Sequence, residues 1–218
     1  MTTEELIYVG DPLCSWCWGI APELDRVAAA RTDLPFSIVL GGLRPGPNAR
    51  EVDEQMAASL THHWRDVSER SGQPFDFGLL ARRGWLYDTE PACRAVVVMR
   101  ELDEAQAWPL FKAIQRLFYV EGVVPAGRAE LEGLVSTFDV DHDAYWTTFA
   151  SDAGVKATWR DFAQVHKWGI GGFPTVIYRT GDQGHIVTRG YTTADRMLGV
   201  LDSLAPLAGE MCGPDGVC

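Results

Sequence analysis

The sequence is short of positive charge and has no long hydrophobic run. Lys and Arg number 19 against 30 Asp and Glu in 218 residues, a formal net charge of −11. With no basic surplus to neutralise phosphates, neither nucleic acid nor an anionic membrane surface is an expected partner. Uncharged stretches such as Pro12 to Pro22 and Trp168 to Tyr178 last 11 residues, below the roughly 18 that indicate a membrane span. The N-terminal Met1-Thr2-Thr3-Glu4-Glu5 is acidic and lacks the basic region of a signal peptide, so a cytoplasmic location is the expectation. Cysteine is also scarce, with five residues. In a reducing cytosol that number points to catalytic, redox-active or metal-binding thiols rather than a disulfide framework. What the chain does have is apolar mass: 46% hydrophobic residues, including eight Trp and nine Phe. A core of that kind folds without staples, and the length suits one domain or one domain with an insertion.

Leu6-Ile7-Tyr8-Val9 is a compact β-prone run ended by Gly10-Asp11-Pro12, which predicts a buried strand stopping at a turn. Ile20, Leu24, Val27 and Ala28 recur with helical spacing, fading at Arg31-Thr32-Asp33, and Pro22 is expected to kink that helix. Pro35 to Leu40, closed by Gly41-Gly42, completes a strand-helix-strand unit. From about Glu51 to Gln164 amphipathic helical segments dominate, at Val52 to Arg70, Pro91 to Leu102, Ala107 to Val120 and Ala126 to Phe138. Strand character returns at Thr175 to Tyr178 and His185 to Thr188 around the turn Thr180-Gly181-Asp182, as in a hairpin. A last helix fits Thr192 to Leu204, before a Gly-rich tail.

Cys14-Ser15-Trp16-Cys17 falls between the first strand and the first helix. A thiol at a helix N-terminus gains thiolate character from unpaired N–H groups and the helix dipole, so Cys14 is the expected nucleophile. Cys17, one turn into the helix, is expected to resolve a mixed disulfide formed at Cys14. Strand before and helix after is the setting of a thioredoxin-like redox site.

Cys17-Trp18-Gly19-Ile20-Ala21-Pro22-Glu23-Leu24-Asp25 resembles the active-site helix of thioredoxins, and Gly169-Ile170-Gly171-Gly172-Phe173-Pro174-Thr175 resembles the segment carrying their cis-proline. Between Cys17 and Pro174 stand 156 residues, far more than a minimal thioredoxin needs. That excess resembles the helical insertion of the DsbA family, and Asp11 to Gly19 looks most like its FrnE-like, disulfide-isomerase branch. The resemblance implies an α/β thioredoxin-like fold with an inserted all-helical domain. Residues 1–50 and 165–207 would form the thioredoxin-like part, 51–164 the insertion and 208–218 a cysteine-containing tail. It also implies catalysis by Cys14, Cys17 and Pro174 on cysteine-containing client proteins or small thiols. Gly172 and Phe173 would pair with substrate backbone, and Trp16, Trp18 and Phe173 would form an apolar rim. No cofactor is implied beyond the Cys14–Cys17 disulfide, with glutathione or thioredoxin as candidate electron partner.

The chain also departs from that family. Where a buried acid commonly stands, six residues before the first cysteine, it has Tyr8. Proton transfer at Cys17 then needs another group; Asp11 is a candidate, although Asp before Pro at a strand end more often shapes a turn. Cys212 and Cys218 are either a second redox pair or free thiols on a frayed tail, and Cys93 reads as a buried, inert thiol. The rival readings are a glutathione-dependent isomerase of the kappa or hydroxychromene-carboxylate type, and a zinc-bound or client-holding module. No metal ligand set is assigned. Asp139-x-Asp141-x-Asp143 opens like a calcium loop, but Ala144 and Ala150 stand where its glycine and glutamate are needed.

Overall fold

In the computed structural model, residues 4–209 are described, with side chains through 204. Strand β1 (Glu4–Gly10), helix α1 (Ser15–Ala30) and strand β2 (Phe36–Leu40) form the first unit. A short strand β3 (Arg50–Glu51) leads into α2 (Glu54–Ser71), α3 (Gly78–Ala81) and β4 (Leu86–Tyr87). The helices α4 (Glu90–Leu102), α5 (Glu104–Tyr119), α6 (Arg128–Val135), α7 (His142–Ala150) and α8 (Asp152–Lys167) follow. The chain closes with β5 (Thr175–Thr180), β6 (Gln183–Arg189) and α9 (Ala194–Gly209).

The main sheet has the order β2-β1-β5-β6, with β1 parallel to β2 and antiparallel to β5. Register explains the site. Val9 pairs with Thr175 and Gly10 with Leu40, so the end of β1 that runs on to Cys14 lies beside the start of β5, just after Pro174. Alternation along the strands splits the core in two. Leu6, Tyr8, Ile38, Leu40, Val176 and Tyr178 belong to the large cluster shared with α1, α9 and the helical block. Ile7, Val9 and Ile177 face the other way, against Val165 of α8 and Ile170.

Local chemistry sets the helix ends. Asp53, Asp141 and Ser151 cap α2, α7 and α8 by accepting from Met56, Ala144 and Gly154 N–H groups. Capping thus accounts for Asp141, the middle acid of the apparent calcium motif. Helix α4 is buried from Glu90 to Met99 apart from Arg94, and its Val96-Val97-Val98 run stays helical because neighbours cover it on all sides. The small β3–β4 ribbon, absent from the sequence-based expectation, pairs Arg50 with Tyr87 and ties the start of the helical block to α4. Its strands are two residues long, too short for a periodic signal.

Candidate active site

Beyond Gly10 the chain turns through Asp11-Pro12-Leu13, and the Cys14 N–H bonds to the Asp11 carbonyl at 3.1 Å. Cys14 is the N-cap of α1 in extended backbone, with its side chain capping no N–H. The sulfur points across the site instead, and Cys14 Sγ lies 3.7 Å from the carbonyl oxygen of Phe173, 159 positions away. The Phe173–Pro174 peptide is cis. Thr175 Oγ1 donates to the Gly172 carbonyl at 2.9 Å, and the Gly190 N–H to that of Pro174 at 2.7 Å, which hold the loop to the sheet.

Accessibility separates the two thiols: Cys14 keeps 7% of its surface and Cys17 none. Both are free thiols. Burial pushes the Cys17 thiol well above its ordinary range, and the neighbouring Cys14 adds to that effect. Facing them, Phe173 is half-buried, with its ring 2.1 Å from where a Cβ on Gly41 would stand. Glycine at 41 therefore makes room for the ring against the end of β2. Gly171 and Gly172 are exposed and have open space at their missing Cβ positions. They border a groove of about 370 Å³ shared with Phe173 and Arg189. Another groove of about 360 Å³, framed by Ile7, Trp168, Ile177 and Ile186, includes neither cysteine and neither Phe173 nor Pro174.

The aromatic residues divide. Trp16 is half-buried, 6.0 Å from the Tyr191 ring, with the Arg70 guanidinium 5.6 Å over its face. Arg70 and Tyr191 lay outside the sequence reading, because their meeting with Trp16 joins three distant elements. Trp18 differs from its expected place in the rim. It is buried, stacked on Tyr119 at 6.1 Å, and its indole N–H donates to the Pro74 carbonyl at 3.0 Å. One position past Cys17 on α1, it points into the joint with the helical block.

Asp11 is fully buried and turned to structural use. Its two carboxylate oxygens accept from Leu13 N–H at 2.8 Å and Leu43 N–H at 2.6 Å, and the Cys93 thiol donates at 3.4 Å. Burial pushes its carboxyl pKa up while those N–H groups hold it down. Cys93 is fully buried, and burial likewise raises its thiol. Asp11 thus joins the Cys14 turn, the loop after β2 and α4. An asparagine here would turn an NH₂ toward one of the two N–H donors, so Asp11→Asn should cost about 1–3 kcal/mol. At about 2–4 °C per kcal/mol for a chain of this size, calorimetry should show a clear drop in Tm; an unchanged Tm would refute the clamp.

Cys212 and Cys218 lie outside the described residues, and with them the candidate second redox pair. Among the described residues no group of three or more His, Cys, Asp or Glu is placed to hold a metal ion. No helix among them is long and apolar enough to cross a membrane.

Comparison of the sequence with family models and with curated proteins finds no match. Comparison of the structure does. A candidate protein disulfide isomerase from Nitrosomonas europaea is similar over 94% of this chain and 98% of its own, at 33% identity and TM-score 0.87. The chain belongs to the DsbA family of thioredoxin-fold oxidoreductases. This DsbA-family chain is also similar to the cytosolic disulfide reductase DsbM from Pseudomonas aeruginosa, at 25% identity and TM-score 0.77 over 94% of this chain and 100% of that one. The form of DsbM solved with glutathione matches at TM-score 0.70. A 2-hydroxychromene-2-carboxylate isomerase, at 14% identity and TM-score 0.58, shares the fold alone.

Proposed function

We propose that this DsbA-family chain is a dithiol protein disulfide reductase and isomerase, with Cys14 as attacking thiolate and Cys17 as resolving thiol. The observation that carries the reading is the approach of Cys14 Sγ to the Phe173 carbonyl, with Cys17 closed off behind it. A substrate disulfide held at that point meets the more accessible thiol first. Cys14 forms a bond to one substrate sulfur, and the other leaves as a thiol after taking up a proton. Cys17 then attacks Cys14, releases the first substrate sulfur and leaves the enzyme as the Cys14–Cys17 disulfide. Two electrons pass from the enzyme dithiol to the substrate.

Gly172 and Phe173 offer main-chain groups beside bare glycine backbone, which favours pairing with an extended peptide or with the peptide-like backbone of a small thiol. Backbone pairing tolerates varied sequences, as a protein-client enzyme needs. In this reading residues 1–50 and 165–207 carry out the exchange, and 51–164 close over its inner side. Glutathione is the proposed electron donor and the cytoplasm the proposed compartment, in keeping with the cytosolic DsbM and its glutathione-bound form.

Insulin reduction and reactivation of scrambled ribonuclease, each driven by glutathione, test the assignment. The wild type should accelerate both. Acceleration of insulin reduction alone would restrict the protein to a reductase; acceleration of neither would overturn the proposal.

A further inference from the structure

The exchange described above leaves the charge on Cys17 unattended, and the same buried cluster holds a hydroxyl without a partner among the described residues, that of Tyr8. β1 turns Tyr8 to the α1 side of the sheet, where it is fully buried. Trp108 and Phe111 meet its ring edge-on at 5.4 and 5.6 Å, and Phe36 stacks at 6.4 Å. This cage directs the hydroxyl along the strand toward Gly10, where an added Cβ would stand 2.4 Å from it. Glycine at 10 is therefore what lets the phenol reach the end of the strand. There the hydroxyl completes no hydrogen bond in the resting structure among the described residues; it lies in the same buried cluster as Cys14 and Cys17, and its phenol is raised first by burial and then by Cys17. A buried hydroxyl without a settled partner is costly, and phenylalanine would fill the same cage without that cost.

We propose that the Tyr8 hydroxyl donates a hydrogen bond to Cys17 Sγ as Cys17 attacks the mixed disulfide, which makes Tyr8 a catalytic residue of the resolving step alone. The proposal rests on the dithiol reading. In the step it assists, Cys17 gives up its proton to bulk water, which returns one to the leaving group, and its sulfur bonds to Cys14. The bond from Cys14 to the substrate sulfur breaks, and the departing substrate thiolate takes up a proton. Tyr8 keeps its own proton throughout. The first attack, made by Cys14 at the mouth of the site, does not involve it.

The surroundings agree with a donor. Burial raises the Tyr8 phenol well above its usual range, so it stays protonated. Cys17 is raised first by burial and then by Cys14, and it is lowered by the Tyr8 hydroxyl and the Asp11 backbone. Tyr119 of α5 senses both sulfurs, and Tyr87 of β4 senses Cys14. Tyr87 is already committed to the Leu13 carbonyl.

Rapid-mixing kinetics of the reduced protein with oxidised glutathione separate the two steps. Tyr8→Phe should leave mixed-disulfide formation within about twofold of wild type and slow its resolution by roughly tenfold or more, the scale of a hydrogen bond to a charged group. The pH profile of resolution should move to the alkaline side. Gly10→Ala, which keeps the hydroxyl but crowds it away from the sulfur, should slow the same step even if Tyr8→Phe folds poorly. Tyr145→Phe removes a buried phenol bonded elsewhere, to the Ala95 carbonyl, and should change neither step. Wild-type resolution rates in both Tyr8→Phe and Gly10→Ala, or equal slowing of both steps, would refute the role of Tyr8. A wild type that forms no mixed disulfide at all would instead overturn the dithiol reading, and this inference with it.

Discussion

Cys14→Ser should abolish disulfide exchange, lowering insulin reduction by about 10³-fold or more, the scale on which removal of a nucleophile acts. Cys17→Ser should behave differently: it keeps the first attack but stops there, so the protein accumulates with substrate bonded to Cys14. The asymmetry follows from position. Cys14 caps α1 with its sulfur turned to the Phe173 carbonyl, while Cys17 is sealed beneath it. Mass spectrometry after mixing with oxidised glutathione should find one glutathione on Cys17→Ser and none on Cys14→Ser. Glutathione retained by Cys14→Ser would reverse the roles of the two thiols. The same geometry sets a pH dependence. Since burial holds Cys17 in the thiol form at neutral pH, and only a thiolate attacks, resolution by the wild type should quicken as pH rises above neutral. A resolution rate independent of pH would contradict a buried, protonated Cys17.

Asp161→Leu should be strongly destabilising although it lies outside the site. Asp161 of α8 receives Arg100 of α4 through two bonds, at 2.8 and 2.9 Å, and also accepts the Leu40 N–H at 2.9 Å. Arg100 in turn donates to the Ile38 carbonyl at 2.7 Å. One ion pair thus fastens two helices of the inserted block to the end of β2. Burial opposes the charge on Arg100, but the Asp161 carboxylate outweighs it, and the guanidinium pKa is raised. Removing the acid leaves a largely buried cation without its counter-charge and the Leu40 N–H without a partner. Breaking a fully buried pair costs about 3–5 kcal/mol, and the residual exposure here trims that to about 2–4. Tm should fall by roughly 5–15 °C. Because much of the loss is the orphaned Arg100, adding Arg100→Leu should restore part of it. A double variant less stable than Asp161→Leu would show that the pair is not the source. Below its transition, Asp161→Leu should still alkylate Cys14 at near the wild-type rate, since its bonds reach β2 and not α1.

The fold was legible in the sequence wherever a pattern repeats locally. Strand runs, the periodic face of α1 and the hairpin at Gly181-Asp182 appear in the structure close to where they were expected. The β3–β4 ribbon was not legible, since two-residue strands have no period to detect. Helices α7 and α8 were submerged in a block of general helical character, and only their capping residues Asp141 and Ser151 mark where each begins.

By itself, the sequence determined the chemistry available: two thiols one helical turn apart after a strand, and a Gly-Phe-Pro-Thr segment far along the chain. Such features are written in neighbouring residues, because strand ends, helix starts and tight turns depend on local backbone preference. Only the tertiary structure decided how the remaining side chains are used. Asp11 could have served Cys17, but the loop at Leu43 and Cys93 of α4 claim it. Trp18 could have lined the rim, but Pro74 and Tyr119 draw it inward. Tyr8 read as a missing acid, but the aromatic cage and Gly10 leave its hydroxyl buried at the end of β1 without a partner among the described residues. Each outcome involves partners about 30 to 100 positions away, such as Leu43, Cys93, Pro74 and Trp108, and a buried polar group takes the partner that packing brings to it.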